Sequence, residues 1–248
     1  MDTLFFSPSF LHTENIGARC CELLNQFLQS PDETDGNATR LSIMLRIVVT
    51  EFMSLTTLDL MKWADDPEEY VLSQESCSTD SNLRATAQDF YLTLAEYDEG
   101  AVSREYVSMM KTAQGELDAA RSGGGGGVSE DALVHLCKRI DGMWTGAGLD
   151  TSLLKSCFSY EQWFMQTLVP VITSTVQTAQ QQQQQQQQVT TVTTSPHQRI
   201  LQYRSLWLIG CLTWELPIEL HGSIYNSLLQ LLAVNDVVVC VVREMKSL

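Results

Sequence analysis

Apolar residues return every three or four positions along most of the chain, and this period constrains the fold more than any other feature. Glu14–Gln29 carries Ile16, Cys20, Leu23, Leu24 and Phe27 at helical spacing and stops at Ser30-Pro31. Arg40–Met53 repeats the pattern with Leu41, Met44, Leu45, Val48 and Phe52. Thr57–Trp63 is a short helix with Thr56 placed to cap it. Leu83–Tyr97 and Ser103–Gln114 read as a pair joined by Asp98-Glu99-Gly100. Ser129 caps a helix through Met143, with Ala132, Leu133, Leu136 and Ile140 on one face; Tyr160–Val176, Gln198–Leu216 and Ile218–Leu232 follow. No hairpin signal interrupts the series. Val237–Val242 is strand-like in composition. A lone strand among helices would leave its backbone groups unpaired, so a buried helix is expected there. The fold class is all-α.

Short helices in antiparallel pairs, at roughly forty residues per pair, predict an α-solenoid in which stacking supplies the core that no single pair can make. The pairs share little sequence, which suits diverse repeats of the HEAT or armadillo kind better than tetratricopeptide repeats. Residues 1–248 are read as one such solenoid with two low-complexity inserts. Residues 116–128 surround the run Gly123–Gly127, and residues 177–196 surround the polyglutamine Gln180–Gln188; both compositions predict disorder.

The segment Lys62–Tyr70, KWADDPEEY, is the most distinctive local motif. A residue before proline is pushed out of the α region, so Asp66-Pro67 predicts a loop directly after the helix. Trp63 and Tyr70 bracket Asp65, Asp66, Glu68 and Glu69. The rings are expected to anchor the loop while the carboxylates face water, open to a basic partner. Those six residues are the candidate partner-binding or loop-anchor site.

Charge and chemistry exclude several functions. A net charge of −15 argues against nucleic-acid binding, which needs clustered Lys and Arg. The seven cysteines show no C-x-x-C spacing and fall mostly in apolar helical runs, as small buried hydrophobes of a reducing compartment do. No uninterrupted apolar stretch of membrane length and no leader pattern is expected, hence no membrane insertion. The four histidines are scattered; His135 and Cys137 lie two apart on one helix and point to different faces. The acidic segment lacks the ligand spacing of a calcium loop. No phosphate-binding or nucleophile motif occurs. The expectation is a non-enzyme with no catalytic, cofactor or metal site. Trp144, Trp163, Phe164, Trp207 and Trp214 read as packing residues between helices.

The stretch Leu55–Tyr70 resembles the W-x-x-D-P-x-x-[YF] element of importin-β superfamily members, among them importins seven, eight and eleven. Leu83-Arg84, Glu96-Tyr97, Met109–Gly115, Gln162-Trp163-Phe164 with Leu168 and Pro170, Tyr203–Gly210, Tyr225, Leu228-Leu229 and Asp236–Val239 continue the likeness in order, most closely to the importin eleven group. Two positions depart from it: Cys240 where the family often has arginine, and Ala85 where it has proline. The resemblance implies the central HEAT repeats of a transport receptor that carries protein cargo, with basic segments, past nuclear pore proteins under control of the small GTPase Ran. It implies residence in cytoplasm and nucleus and at the nuclear envelope. The repeats that grip Ran-GTP in the family lie upstream of the matching blocks. Tight Ran-GTP binding is therefore expected of a full-length receptor and weak or absent binding of this chain. A stand-alone HEAT scaffold for cytosolic assemblies is the alternative.

Overall fold

The structure, a computed structural model, describes residues 34–76, 83–121, 129–151, 160–170, 195–212 and 218–232. Nine helical elements appear among them. They are α1 (Thr34–Ile47), which runs on as a π turn over Val48–Phe52; α2 (Thr57–Asp65); α3 (Pro67–Ser76); α4 (Leu83–Tyr97); α5 (Glu99–Arg121); α6 (Glu130–Leu149); α7 (Tyr160–Trp163), continued by a second π turn over Phe164–Leu168; α8 (Pro196–Leu212); and α9 (Ile218–Leu232). No strand occurs among the described residues, so the all-α class stands. The helices expected over Glu14–Gln29 and Val237–Val242 lie outside the described residues, as do Gly123–Gly127, Gln180–Gln188 and Trp214.

Several boundaries follow from caps that the sequence displays. Thr56 accepts from the Asp59 N–H at 3.1 Å while the Asp59 carboxylate accepts from the Thr56 N–H at 2.7 Å, a reciprocal capping box. Ser129 accepts from the Ala132 N–H at 3.2 Å and opens α6. Other boundaries differ from expectation. α5 begins at Glu99, not Ser103, because Asp98 alone makes the turn: its carboxylate accepts from the Ala101 N–H at 3.0 Å. α5 also runs to Arg121, so Glu116–Arg121 is helical and not part of the glycine-rich insert.

α6 is the centre of the packing. From Ile140 to Ala147 every residue is buried, which a helix achieves only when neighbours close on all sides. α5 and α8 pack along it, α4 touches it, and the π turn of α1 crosses it. The π turn ends where the Met53 N–H reaches the Val48 carbonyl at 2.9 Å, and the Leu55 N–H then bonds the Lys138 carbonyl of α6 at 3.4 Å. Neighbours in sequence also pack: α2 on α3, α4 on α5, α5 on α6. The core joins Leu45, Val49 and Met53 of the first segment to Tyr91, Leu94, Tyr106, Leu117, Ile140, Phe164, Leu168, Ile200 and Leu208. Tyr106 donates to the Met143 carbonyl of α6, and its ring lies 5.2 Å from that of Tyr91. Arg40–Asp65 holds an 18-residue window of mean hydropathy 1.5, long and apolar enough by composition for a membrane span, contrary to the reading of the sequence. In the fold it is divided by the non-helical step Met53–Thr56, and Leu41, Leu45, Val49 and Met53 join the common core.

Gly142 shows how close the packing is. A Cβ there would sit 2.9 Å from the Met53 carbonyl group and the Ser54 nitrogen, backbone atoms that cannot swing aside. Gly210 of α8 is exposed, with nothing within 4 Å of the same position. Gly142→Ala should therefore lower stability by about 1–3 kcal/mol despite the better helix propensity of alanine. Gly210→Ala should raise it by roughly 0.5–1 kcal/mol. Urea midpoints of the two variants check both signs.

Candidate functional site

The acidic segment is not a loop. α2 ends at Asp65 and α3 starts at Pro67, so Asp66 alone is extended, at φ −145° and ψ 98°. The proline effect on the preceding residue is local, and proline itself is at home in the first turn of a helix, where its missing N–H costs nothing. Asp66 serves both helices. Its N–H bonds the Lys62 carbonyl at 2.9 Å and closes α2. Its carbonyl accepts from the Tyr70 N–H at 3.0 Å, and its carboxylate from the Glu69 N–H at 3.0 Å, opening α3. Glu68 and Glu69 stand in the first turn of α3, where negative charge complements the helix dipole. Asp65 sits at the end of α2, where that dipole offers it no support. All four carboxylate residues are exposed.

Beneath them, Trp63 and Tyr70 are each only 2% exposed. They meet edge to face at a centroid distance of 5.8 Å. The indole of Trp63 also lies 5.2 Å from the ring of Tyr203 on α8, so the pair anchors the α2–α3 corner to a helix near the other end of the described chain. Burial pushes the Tyr70 phenol well above its ordinary value, against the pull of Arg84.

Behind Tyr70 lies a constellation absent from the sequence reading. Asp141 of α6 is fully buried between two arginines. Arg84 of α4 donates to one of its carboxylate oxygens, and Arg204 of α8 donates to the other through Nε at 2.9 Å. Thr145 accepts from Arg84 at 3.2 Å and donates to the Asp141 carbonyl at 2.8 Å. The Arg84 guanidinium reaches the Tyr70 hydroxyl at 3.4 Å. The Arg204 guanidinium lies 4.8 Å from the centre of the Trp207 ring, within cation–π range. Burial by itself would raise the Asp141 carboxyl; Arg204 and Arg84 overcome it and hold the group below its usual value of 3.8. Arg84 and Arg204 appeared in the sequence only inside blocks of likeness. The missed signal was Asp141 itself, a lone carboxylate within an apolar helical run, since such a group is buried only when paired.

The other candidates stay apart. His135 is exposed whereas Cys137 is buried, and no group of three or more metal-ligating side chains gathers among the described residues. Trp144 and Trp163 pack edge to face at 6.5 Å, and Phe164 is buried. The arrangement brings together an exposed acidic corner and a buried ionic hub, the first suited to charge recognition and the second to holding helices in register.

Trp63→Ala should cost about 3–5 kcal/mol, the scale of truncating a buried large aromatic. Asp66→Ala should cost about 0.5–2 kcal/mol because it removes a helix cap, whereas Asp65→Ala should change stability little. Chemical denaturation separates the three. Asp141→Asn should cost about 3–5 kcal/mol near neutrality, since both guanidiniums lose their carboxylate in a buried setting. The folded value of Asp141 lies below the unfolded one, so its contribution is present above pH 3.8 and is lost as pH falls through the folded value. The gap between wild type and Asp141→Asn should therefore narrow in acid, and it should stay constant from pH 6 to pH 8.

Compared with known proteins, the chain matches no protein-family model, no curated protein and no solved structure.

Proposed function

We propose that the chain is part of an importin-β-type nuclear transport receptor that takes protein cargo through basic segments, moves past nuclear pore proteins and answers to Ran. One observation carries this reading. Trp63, Tyr70, Arg84, Tyr203 and Arg204 come from three separate blocks of resemblance, and all five lie in one contact cluster around Asp141 and Trp63. Residues from separate blocks of the likeness thus share one packed site. The architecture that accompanies the reading is a stack of antiparallel helix pairs, and the packing of α2 on α3 and of α4 on α5 is compatible with it. The exposed carboxylates Asp65, Asp66, Glu68 and Glu69 offer a cationic segment a place to dock.

A second reading is favoured by the contacts of α6. In a one-dimensional stack each pair touches only its neighbours. Here Trp63 of α2 meets Tyr203 of α8, and Asp141 joins α4 to α8. Such closure suits a self-contained helical scaffold that assembles cytosolic proteins without shuttling.

Capture from cell extract on immobilised chain tests both. Lysine-rich proteins should be retained at about 50 mM salt and released by about 0.5 M, as contacts between exposed charges are screened. Asp65→Lys/Glu68→Lys should fold and lose that capture. Retention of nuclear pore proteins, with enrichment of the tagged chain at the nuclear envelope, supports the receptor. Capture of basic proteins with neither property supports the scaffold, and equal capture by the reversed variant removes the acidic corner from both.

A further inference from the structure

We propose that Ser195 is a phosphorylation site for a proline-directed serine kinase, and that the added phosphate holds His197 as a protonated hydrogen-bond donor. Ser195 is followed by Pro196, the dipeptide that such kinases select, and Val189–Thr194 before it is a run of threonine and valine. Pro196 is the first residue of α8, so Ser195 stands just outside the helix. Its carbonyl accepts from the Gln198 and Arg199 N–H groups at 3.0 and 3.1 Å. The residue is half-buried, which leaves it partly open to solvent at the surface end of α8.

The hydroxyl does not cap the helix through its side chain. It lies 2.9 Å from Nε2 of His197, a ring only 4% exposed. Burial pulls the imidazole below its ordinary value, against the pull of Glu130 on α6, and so keeps it neutral. A neutral ring leaves the direction of this bond to its tautomer: Oγ–H donates to a bare Nε2, or Nε2–H donates to Oγ. The kinase step breaks the bond from the γ-phosphorus of ATP to its bridging oxygen and forms a bond from Oγ to that phosphorus. The Oγ proton passes to the kinase base and ADP leaves. The product presents only acceptor oxygens near pH 7, because its second ionisation falls near about 6. Nε2 must then carry a proton, and the phosphate charge beside the ring favours its doubly protonated form, which donates a charge-assisted hydrogen bond. Glu130 favours that cation from α6. The modified residue sits at the entry to the helix that carries Tyr203, Arg204 and Trp207 into the core, so the event is coupled to the placement of α8.

The test uses the full chain with a proline-directed kinase and magnesium ATP, phosphosite mapping by mass spectrometry, and NMR titration of the histidine rings. Phosphate should appear on Ser195, vanish in Ser195→Ala, and fall sharply in Pro196→Ala, which keeps the hydroxyl. The His197 titration midpoint should rise by about one unit or more on modification. Modification of Ser7 or Ser30, the other Ser-Pro steps, with none at Ser195 would overturn the site. Phosphate on Ser195 with an unmoved His197 would overturn the switch.

Discussion

The bond set of Asp141 is the contact on which the arrangement of helices depends. One carboxylate on α6 holds a guanidinium from α4 and another from α8, partners 57 and 63 residues away along the chain. Removing three charged groups from water is unfavourable, and their attraction offsets that only when geometry is good and remaining hydrogen bonds are met. Thr145 and the Trp207 ring help to meet them. The hub is thus weak evidence for high stability and stronger evidence for specificity. A partly docked α8 would leave Arg204 and Asp141 short of a partner, so intermediate placements of that helix are disfavoured. This specificity role is a hypothesis; it fails if a well-packed apolar replacement of all three groups gives an equally unique, cooperative fold.

Such a hub needs a helix that others can surround, and α6 supplies it through small residues. Gly142 lets the backbone at Met53 approach, and Gly146 and Gly148 make room for Tyr106 and Trp207. The π turn at Val48–Phe52 takes part in the same contact. Its extra residue shifts the register of the chain just before Met53, and the Ser54 hydroxyl bonds the Thr50 carbonyl at 2.7 Å, satisfying a group the irregular turn exposes. Ionic specificity and close backbone approach therefore lie within a few residues of each other on one helix.

Much of the helical content was legible because period and caps act over a few residues. Leu83–Tyr97 and Ile218–Leu232 match the boundaries drawn from the sequence, and Thr56 and Ser129 cap where their side chains suggest. The corner at Asp66 was half legible. Proline correctly signalled a break, yet the same proline also starts the next helix, and a rule about one residue does not say how long the break lasts. The anchoring role of Trp63 and Tyr70 could be read from their bracketing of charge. Their partner Tyr203, and the whole Asp141 hub, could not. Helical periodicity relates residues within a few turns, whereas these contacts depend on which distant helices meet, information carried by packing and not by local pattern.

The single-aspartate junctions have a mechanical meaning. At Asp66 and again at Asp98 one residue closes a helix with its N–H and opens the next with its carbonyl and carboxylate. There is no slack in such a joint. A residue of an α-helix advances the azimuth by about 100°, so lengthening either joint by one residue would turn everything after it to a different compass bearing. The corner behaves as a fixed bracket and not as a hinge. Motion at these two joints would carry both flanking helices together, with α2 and α3 moving as one bent rod.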